Sequence, residues 1–349
     1  MAHTVAPPKA AAPGQPRRGG PARGLGLLLA AALLALAVTA SISIGSKGIP
    51  LGDILSLLAD PDGSDAAMIV WEHRVPRTLL GVGVGASLAL AGALMQSLTR
   101  NPLADPGLLG VEAGAVIAIA SAIGLLGLAG LPQYIWFSFA GSAAAAVIVY
   151  LLGASGKSAA TPVRLALAGT AVSAALASAT QALVLIDRDA FEKFRHWGTG
   201  ALAGHDMSVL TRVAPFMLAG LALALALGPS LNAIALGDDA GRALGVSPGR
   251  IRLTGALAVT LLCGAATAAV GPIGFVGLIV AHAARLICGP DERWILAYSA
   301  ILGPVLLLTA DIAGRLLLWP GELEAGIVTA FLGMPVFIAL VRRKKIAAL

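Results

Sequence analysis

The chain has 349 residues, 58% hydrophobic and only 12% charged, with a mean hydropathy of +0.88; a soluble domain of this length carries roughly a quarter charged residues. Its net charge of +6 gathers at the ends of apolar runs rather than on one face, which excludes a nucleic-acid-binding surface. Cys263 and Cys288 both fall inside apolar runs, which excludes a disulfide framework or a cysteine metal cluster.

Residues 1–24 are rich in Pro, Gly and Ala and carry Lys9, Arg17, Arg18 and Arg23, the composition of a disordered tail. Leu25–Ile44 is the first apolar run. Val38-Thr39-Ala40 within it resembles a small-residue cleavage site, but the many runs that follow favour a retained first span. Residues 45–77 are mixed and polar, with Asp53, Asp60, Asp62, Asp65 and Glu72 before Arg74-Val-Pro-Arg77. Further apolar runs follow at Leu79–Leu98, Leu108–Leu128, Tyr134–Leu152, Val163–Leu185, Val213–Gly228, Leu253–Val270, Phe275–Cys288, Trp294–Leu318 and Ile327–Val341. A crossing takes about 20 residues, so Phe275–Cys288 and Ile327–Val341 are short and must be tilted, extended or partly re-entrant. The expectation is an all-α membrane protein of about ten spans over residues 25–345.

Lys and Arg set the orientation. Both tails are basic, ending in Arg342, Arg343, Lys344 and Lys345, which places both termini in the cytoplasm and requires an even number of spans. Gly85–Gly92 and Gly264–Gly271 share a small-residue pattern on spans of opposite direction, a faint sign of an inverted repeat in a chain where chance is a serious rival.

Between the sixth and seventh runs lies a polar island, Leu236–Arg252, which falls on the cytoplasmic side. Asp239 is a fitting N-cap, Ala240–Leu244 one to two helical turns, and Gly245 a stop. A loop that only reverses direction needs a few residues; this one builds structure, as a docking surface for a soluble partner does.

Enzyme chemistry finds no support. Gly153-Ala-Ser-Gly156-Lys157-Ser158 lacks the first glycine of a phosphate loop, Leu151 standing in its place, and has no strand before it; it reads as a cytoplasmic turn. The five histidines are scattered, so neither a catalytic nor a metal site is expected. Asp311 and Arg315, four apart, share a helix face. They form a helix-stabilising pair with Arg315 reaching the outer surface, or Arg315 joins Arg74 and Arg77 in an outward-facing cationic set suited to carboxylates.

A resemblance then gathers these features. Arg74-Val-Pro-Arg77-Thr-Leu, Gly92-Ala-Leu-Met-Gln96, Arg100-Asn-Pro-Leu-Ala-Asp-Pro-Gly-Leu-Leu-Gly110, Leu244-Gly-Val246, Gly271-Pro-Ile-Gly-Phe-Val-Gly277, Gly289-Pro-Asp291 and Pro320-Gly-Glu322 occur in this order. The chain resembles the permease subunits of bacterial ABC importers for iron siderophores, haem and cobalamin, the FecCD type, over residues 25–345.

The resemblance implies a type II importer permease in the cytoplasmic membrane. Its partners would be two copies of an ATPase subunit holding ATP-Mg, a second permease subunit (the same chain or a sister), an extracytoplasmic substrate-binding protein and the lipid bilayer. This chain itself would bind no cofactor and catalyse nothing. The ATPase coupling loop falls on Asp239, Ala240, Arg242, Leu244, Gly245 and Val246, with Asp where the family has Glu and Gly241 where it has a second Ala. Binding-protein docking falls on Arg74, Arg77 and Arg315. The translocation path runs largely along the fifth span, with gating near the loop before it; Ser173, Ser178 and Gln181 on that span either line it or pack between helices, and Gln96, at the end of the second span, is grouped with them. At Ala281 the family often has Pro, which leaves the bend of the eighth span open. The rival class, an ion-coupled secondary transporter, wants ionisable groups deep in the spans; here Asp311 is nearly alone.

Overall fold

The computed structural model describes residues 20–45, 47–107, 110–128, 130–154, 162–186, 194, 197–319 and 321–342. Most of the expected disordered tail and the 155–161 part of the expected cytoplasmic turn lie outside them. Each of the ten expected spans is an apolar helix. In chain order the helices are α1 (Gly20–Ser43), α2 (Leu51–Ala59), α3 (Asp65–Thr99), α4 (Val111–Gly124), α5 (Leu131–Ala154), α6 (Pro162–Ile186) and α7 (Met207–Ala235). After them come α8 (Asp238–Ala243), α9 (Pro248–Val270), α10 (Val276–Cys288), α11 (Glu292–Leu317) and α12 (Ala325–Arg342). Eight of these are long and apolar enough to cross a membrane, and α4 and α10 are shorter. The helix expected to begin at Leu25 starts at Gly20, inside the segment assigned to the tail.

Helix α3 is the axis of the molecule. It starts at Asp65, where Ser64 Oγ accepts the Ala67 N–H at 3.2 Å as an N-cap, passes through a π-helical stretch at Ile69–Arg74, and is buried along most of Val75–Ser97. Small residues let its neighbours approach to backbone contact, as membrane helices require. A Cβ on Gly92 would lie 2.3 Å from the Cα of Gly277 in α10, and one on Gly85 would lie 2.7 Å from the Cα of Pro304 in α11. Helices α7 and α9 complete the ring around α3.

The short helix α10 begins part-way through the bundle. At 1.5 Å per residue it reaches only about 20 Å against a hydrocarbon core of about 30 Å. Helix α9 ends at Gly271 (φ +79°), where a Cβ would sit 2.0 Å from the Trp197 carbonyl oxygen. The chain turns at Phe275, a non-glycine residue in the left-handed region (φ +67°), packed against Gly333 of α12. Helix α10 then continues unbroken through the buried Ala281, with no proline to interrupt its hydrogen-bond ladder.

The 45–77 stretch holds more than a mixed polar loop. Ile54 and Leu57, one turn apart on α2, are buried against Val70 and Val75. Helix α1, by contrast, exposes Leu25, Leu28, Leu29, Leu33 and Leu36, the surface of a helix facing lipid. The bundle has two polar ends. One gathers the end of α1, the start of α3 and the end of α11; the other gathers the end of α3, helix α8 and the starts of α9 and α11.

Candidate functional site

At the first end the three expected docking arginines come together, but not as free outward-facing cations. Arg74 and Arg315 are 5% and 4% exposed. Arg74 Nη1 donates to the carbonyls of Ile42 and Ser43 at 2.9 Å each, and Nη2 to that of Lys47. Arg315 Nη1 donates to Ser41 O and Ile44 O at 2.7 Å each, and its Nε and Nη2 to Asp311. The last turn of α1 leaves its carbonyls without intrahelical donors and carries the negative end of the helix dipole; two guanidinium groups cap it. Arg77 forks onto the fully buried Asp311 at 2.7 Å and donates to Glu322 Oε2, also at 2.7 Å. Arg315 therefore does not snorkel outward, and the helix pair expected of Asp311 and Arg315 is one part of a larger buried network. The sequence offered Asp311 only its neighbour four residues on; its other partner is 234 residues away.

Only the Arg77–Glu322 edge reaches the surface, with side chains 13% and 30% exposed. Beside this end, Trp71, Glu72, His73, His205 and Asp206 line an open cleft. Burial pushes the His205 imidazole below its usual pKa, which keeps it neutral at pH 7.

At the other end stands α8. Its N-cap is Gly237 (φ +112°) rather than Asp239, and both Asp238 and Asp239 lie in its first turn, where carboxylates complement the helix dipole. Asp239 is fully exposed and pairs only with Arg242, three residues on, at 2.6 Å, a contact worth about 0–1 kcal/mol. Leu244 is 62% exposed. Gly245 (φ +82°) ends the helix as expected, and Val246 folds back, its N–H donating to Gly241 O at 3.1 Å and its side chain meeting the core. Ala240 sits half-buried between them.

One partner of this loop from outside it, Arg100, was not visible in the sequence. Asp238 accepts from Arg100 Nη2 at 2.7 Å and from Arg252 Nη2 at 2.8 Å, and Arg100 also donates to Ile234 O in the last turn of α7. Behind them Arg285 links Glu292 at 2.8 Å and Ser97 at 3.0 Å, and Asn232 bridges Asp291 and the Glu292 N–H.

The four expected path residues divide. Gln96 is fully buried beside Arg285, its Oε1 3.5 Å from Nε, so it packs between helices and lines no surface of the chain. Ser173 is half-buried and donates weakly, at 3.4 Å, to Gly107 O. Ser178 and Gln181 are exposed on α6, on a face continued by Thr170, Ala171, Ala174 and Ala175. Between the exposed Leu167 and Leu185 at its two ends, that face is built of small residues with Thr170, Ser178 and Gln181 among them, where α1 presents leucines along its length.

A long-helix bundle with a buried axial helix, two polar ends and a short exposed helix at one of them defines a multi-pass membrane permease. The chain belongs to the FecCD transport family, whose model matches residues 33–343. It is 46% identical over 320 residues to the ferric enterobactin transport system permease protein FepD of Escherichia coli (strain K12), covering 91% of this chain and 94% of that protein. It is 36% identical to the hemin transport system permease protein HmuU of Yersinia pestis, covering 92% and 96%. Its fold matches a solved metal-chelate type ABC transporter in an inward-facing conformation, with a TM-score of 0.77 and 25% identity over 91% of this chain and 99% of that one. The chain is thus an ABC transport permease of the siderophore, iron and haem group.

Proposed function

We propose that the chain forms half of the transmembrane path of an ATP-driven importer in the bacterial cytoplasmic membrane, moving a ferric siderophore inward by alternating access. Helix α8 carries this reading: an exposed, capped helix projecting from an apolar body, the shape that a soluble ATPase subunit grips. Two ATPase subunits with ATP-Mg engage Asp239–Val246 of the two permease halves from the cytoplasm, where both termini of this chain also lie. The permease adds no cofactor and no catalytic group of its own. The siderophore cargo is supported by the identity to the ferric enterobactin permease.

An extracytoplasmic binding protein docks at the arginine end, over the Arg77–Glu322 edge and the neighbouring cleft, while Arg74 and Arg315 hold the frame beneath. The small polar face of α6, with Ser178 and Gln181, meets the second permease subunit around the path. Replacing Ser178 with tryptophan is expected to lower uptake at least tenfold, a block of about 1.4 kcal/mol or more, with the protein still present in the membrane; unchanged uptake removes this face from the path.

The deciding experiment is uptake of labelled ferric siderophore in a deletion strain under iron limitation, with labelled haem and cobalamin in parallel. Restoration by the wild-type chain, but not by one with residues 239–245 replaced by a flexible linker, is expected. Loss confined to haem, the cargo named for the Yersinia pestis relative, or to cobalamin keeps the architecture and replaces the cargo.

A further inference from the structure

Two adjacent carboxylates open α8 and have different surroundings. Asp239 points into solvent and touches only its own helix. Asp238 is clamped between guanidinium groups from two other elements, Arg100 at the end of α3 and Arg252 in the first turns of α9. We propose that Asp238 is the positioning residue that ties α8 to α3, so that a displacement of α8 moves α3 as one body; the functional consequence rests on the importer reading above.

Three observations converge on this. Arg100 ends α3 in the left-handed region (φ +50°), one of only two non-glycine residues with positive φ among those described. That conformation costs a side-chain-bearing residue about 1–2 kcal/mol. It closes α3 as a left-handed cap, with the Arg100 and Asn101 N–H groups returning to Gln96 O, and it sends the Arg100 Nη2 to both Asp238 and Ile234 O in the α7–α8 turn. Strain retained at such a joint points to a role.

The charge balance is matched to the joint. Partial burial pushes the Asp238 carboxyl up, but Arg252 and then Arg100 outweigh it and hold it below its usual pKa. The clamp is therefore ionised at neutral pH, with charge-assisted hydrogen bonds on both sides.

The third observation is what lies beyond the joint. Helix α3 is wedged at Gly92 and Gly85 against the backbones of α10 and α11, so a push at Arg100 cannot be absorbed by side-chain slack. Close-packed elements respond as rigid bodies. The far end of the same helix carries Arg77 in the network with Asp311 and Glu322. One rod joins the ATPase-facing helix to the opposite surface.

The test uses spin labels at Ala243→Cys, exposed on α8, and Leu79→Cys, exposed near the far end of α3. The native Cys263 and Cys288 are buried. In the complex with its ATPase subunits, the distance between labels is expected to stay narrow and unchanged on adding nucleotide; a shift on nucleotide binding overturns the proposal. Asp238→Asn is expected to broaden the distribution, in the isolated permease as well as in the complex. It should also lower cargo moved per ATP hydrolysed about tenfold, the loss of a charge-assisted bond, with Asp238→Glu restoring both. Arg100→Gln, combined with it, should add less than its effect alone, because both remove the shared Arg100–Asp238 pair. A narrow distribution and a full coupling ratio in Asp238→Asn and Arg100→Gln overturn the tie. If the wild-type complex shows no ATP-driven transport, the importer reading fails instead, and the label distances in the isolated permease still decide the tie.

Discussion

Replacing Asp311 with alanine is expected to remove about 3–5 kcal/mol of stability, the penalty for breaking a buried ion pair from one side. Asp311 is fully buried and is the carboxylate between Arg77 and Arg315. Without it, two guanidinium groups are left in a low-dielectric site. Arg315 keeps the α1 carbonyls, which satisfy its hydrogen bonds but not its charge. The loss spreads to α1 and α11, because the same cluster caps the one and ends the other. Thermal unfolding of the purified chain in detergent measures it, with Glu322→Gln as the comparison. Glu322 is partly exposed, and its loss is expected to cost no more than about 1 kcal/mol. Equal melting of Asp311→Ala and wild type would show that the cluster does not hold this end together. The same burial means that charge reversal at Arg74 or Arg77 disrupts the fold before it reports on docking; Glu322→Lys at the exposed edge is the cleaner probe.

The second large effect is steric. Gly92→Ala places a methyl group 2.3 Å from the Cα of Gly277, a contact with backbone that no rotamer relieves. The helices must separate, at a cost of about 3 kcal/mol, the upper end for overpacked cores. The matched control is Gly249→Ala in the first turn of α9, where a Cβ meets nothing within 4 Å and the expected change is within about 0.5 kcal/mol. Both are read by loss of monodisperse protein on heating. A Gly92→Ala chain as stable as the control would mean that α3 and α10 are not in backbone contact.

How much of this was legible in the sequence depends on the range of the forces involved. The ten apolar runs each became a helix because hydropathy acts locally and needs no partner. Gly245 could be assigned as the end of α8 for a similar reason: positive φ is a property of one residue and its neighbours. The start of α8 differs from the sequence expectation because Gly237, at φ +112°, takes the cap position in place of Asp239. Helix α2 is masked by the acidic residues around it, although Leu51, Ile54, Leu57 and Leu58 carry a helical spacing. The arginine end was half legible. Its three members do come together, but their direction is set by Asp311, Glu322 and the carbonyls of Ser41–Ile44. Asp238 showed no signal beyond its neighbour Asp239; only the fold brings Arg100 and Arg252 to it.

The two short helices, α4 and α10, also bear on the lipid. With lengths of about 20 Å, they leave backbone outside regular helix within the bundle, which membranes tolerate only when it is shielded by protein. Here Gly110, Val111, Gly271 and Ile273, at or beside the ends of these helices, are enclosed by neighbours. At these shielded ends bilayer thickness has no direct purchase, whereas Leu125 and Leu126 at the other end of α4 are exposed. A thicker or thinner membrane acts instead on α1, whose leucine face meets the acyl chains and which can tilt to match. Because the end of α1 is where Arg74 and Arg315 are fastened, a tilt of α1 bears directly on the arginine end of the bundle, the end opposite α8.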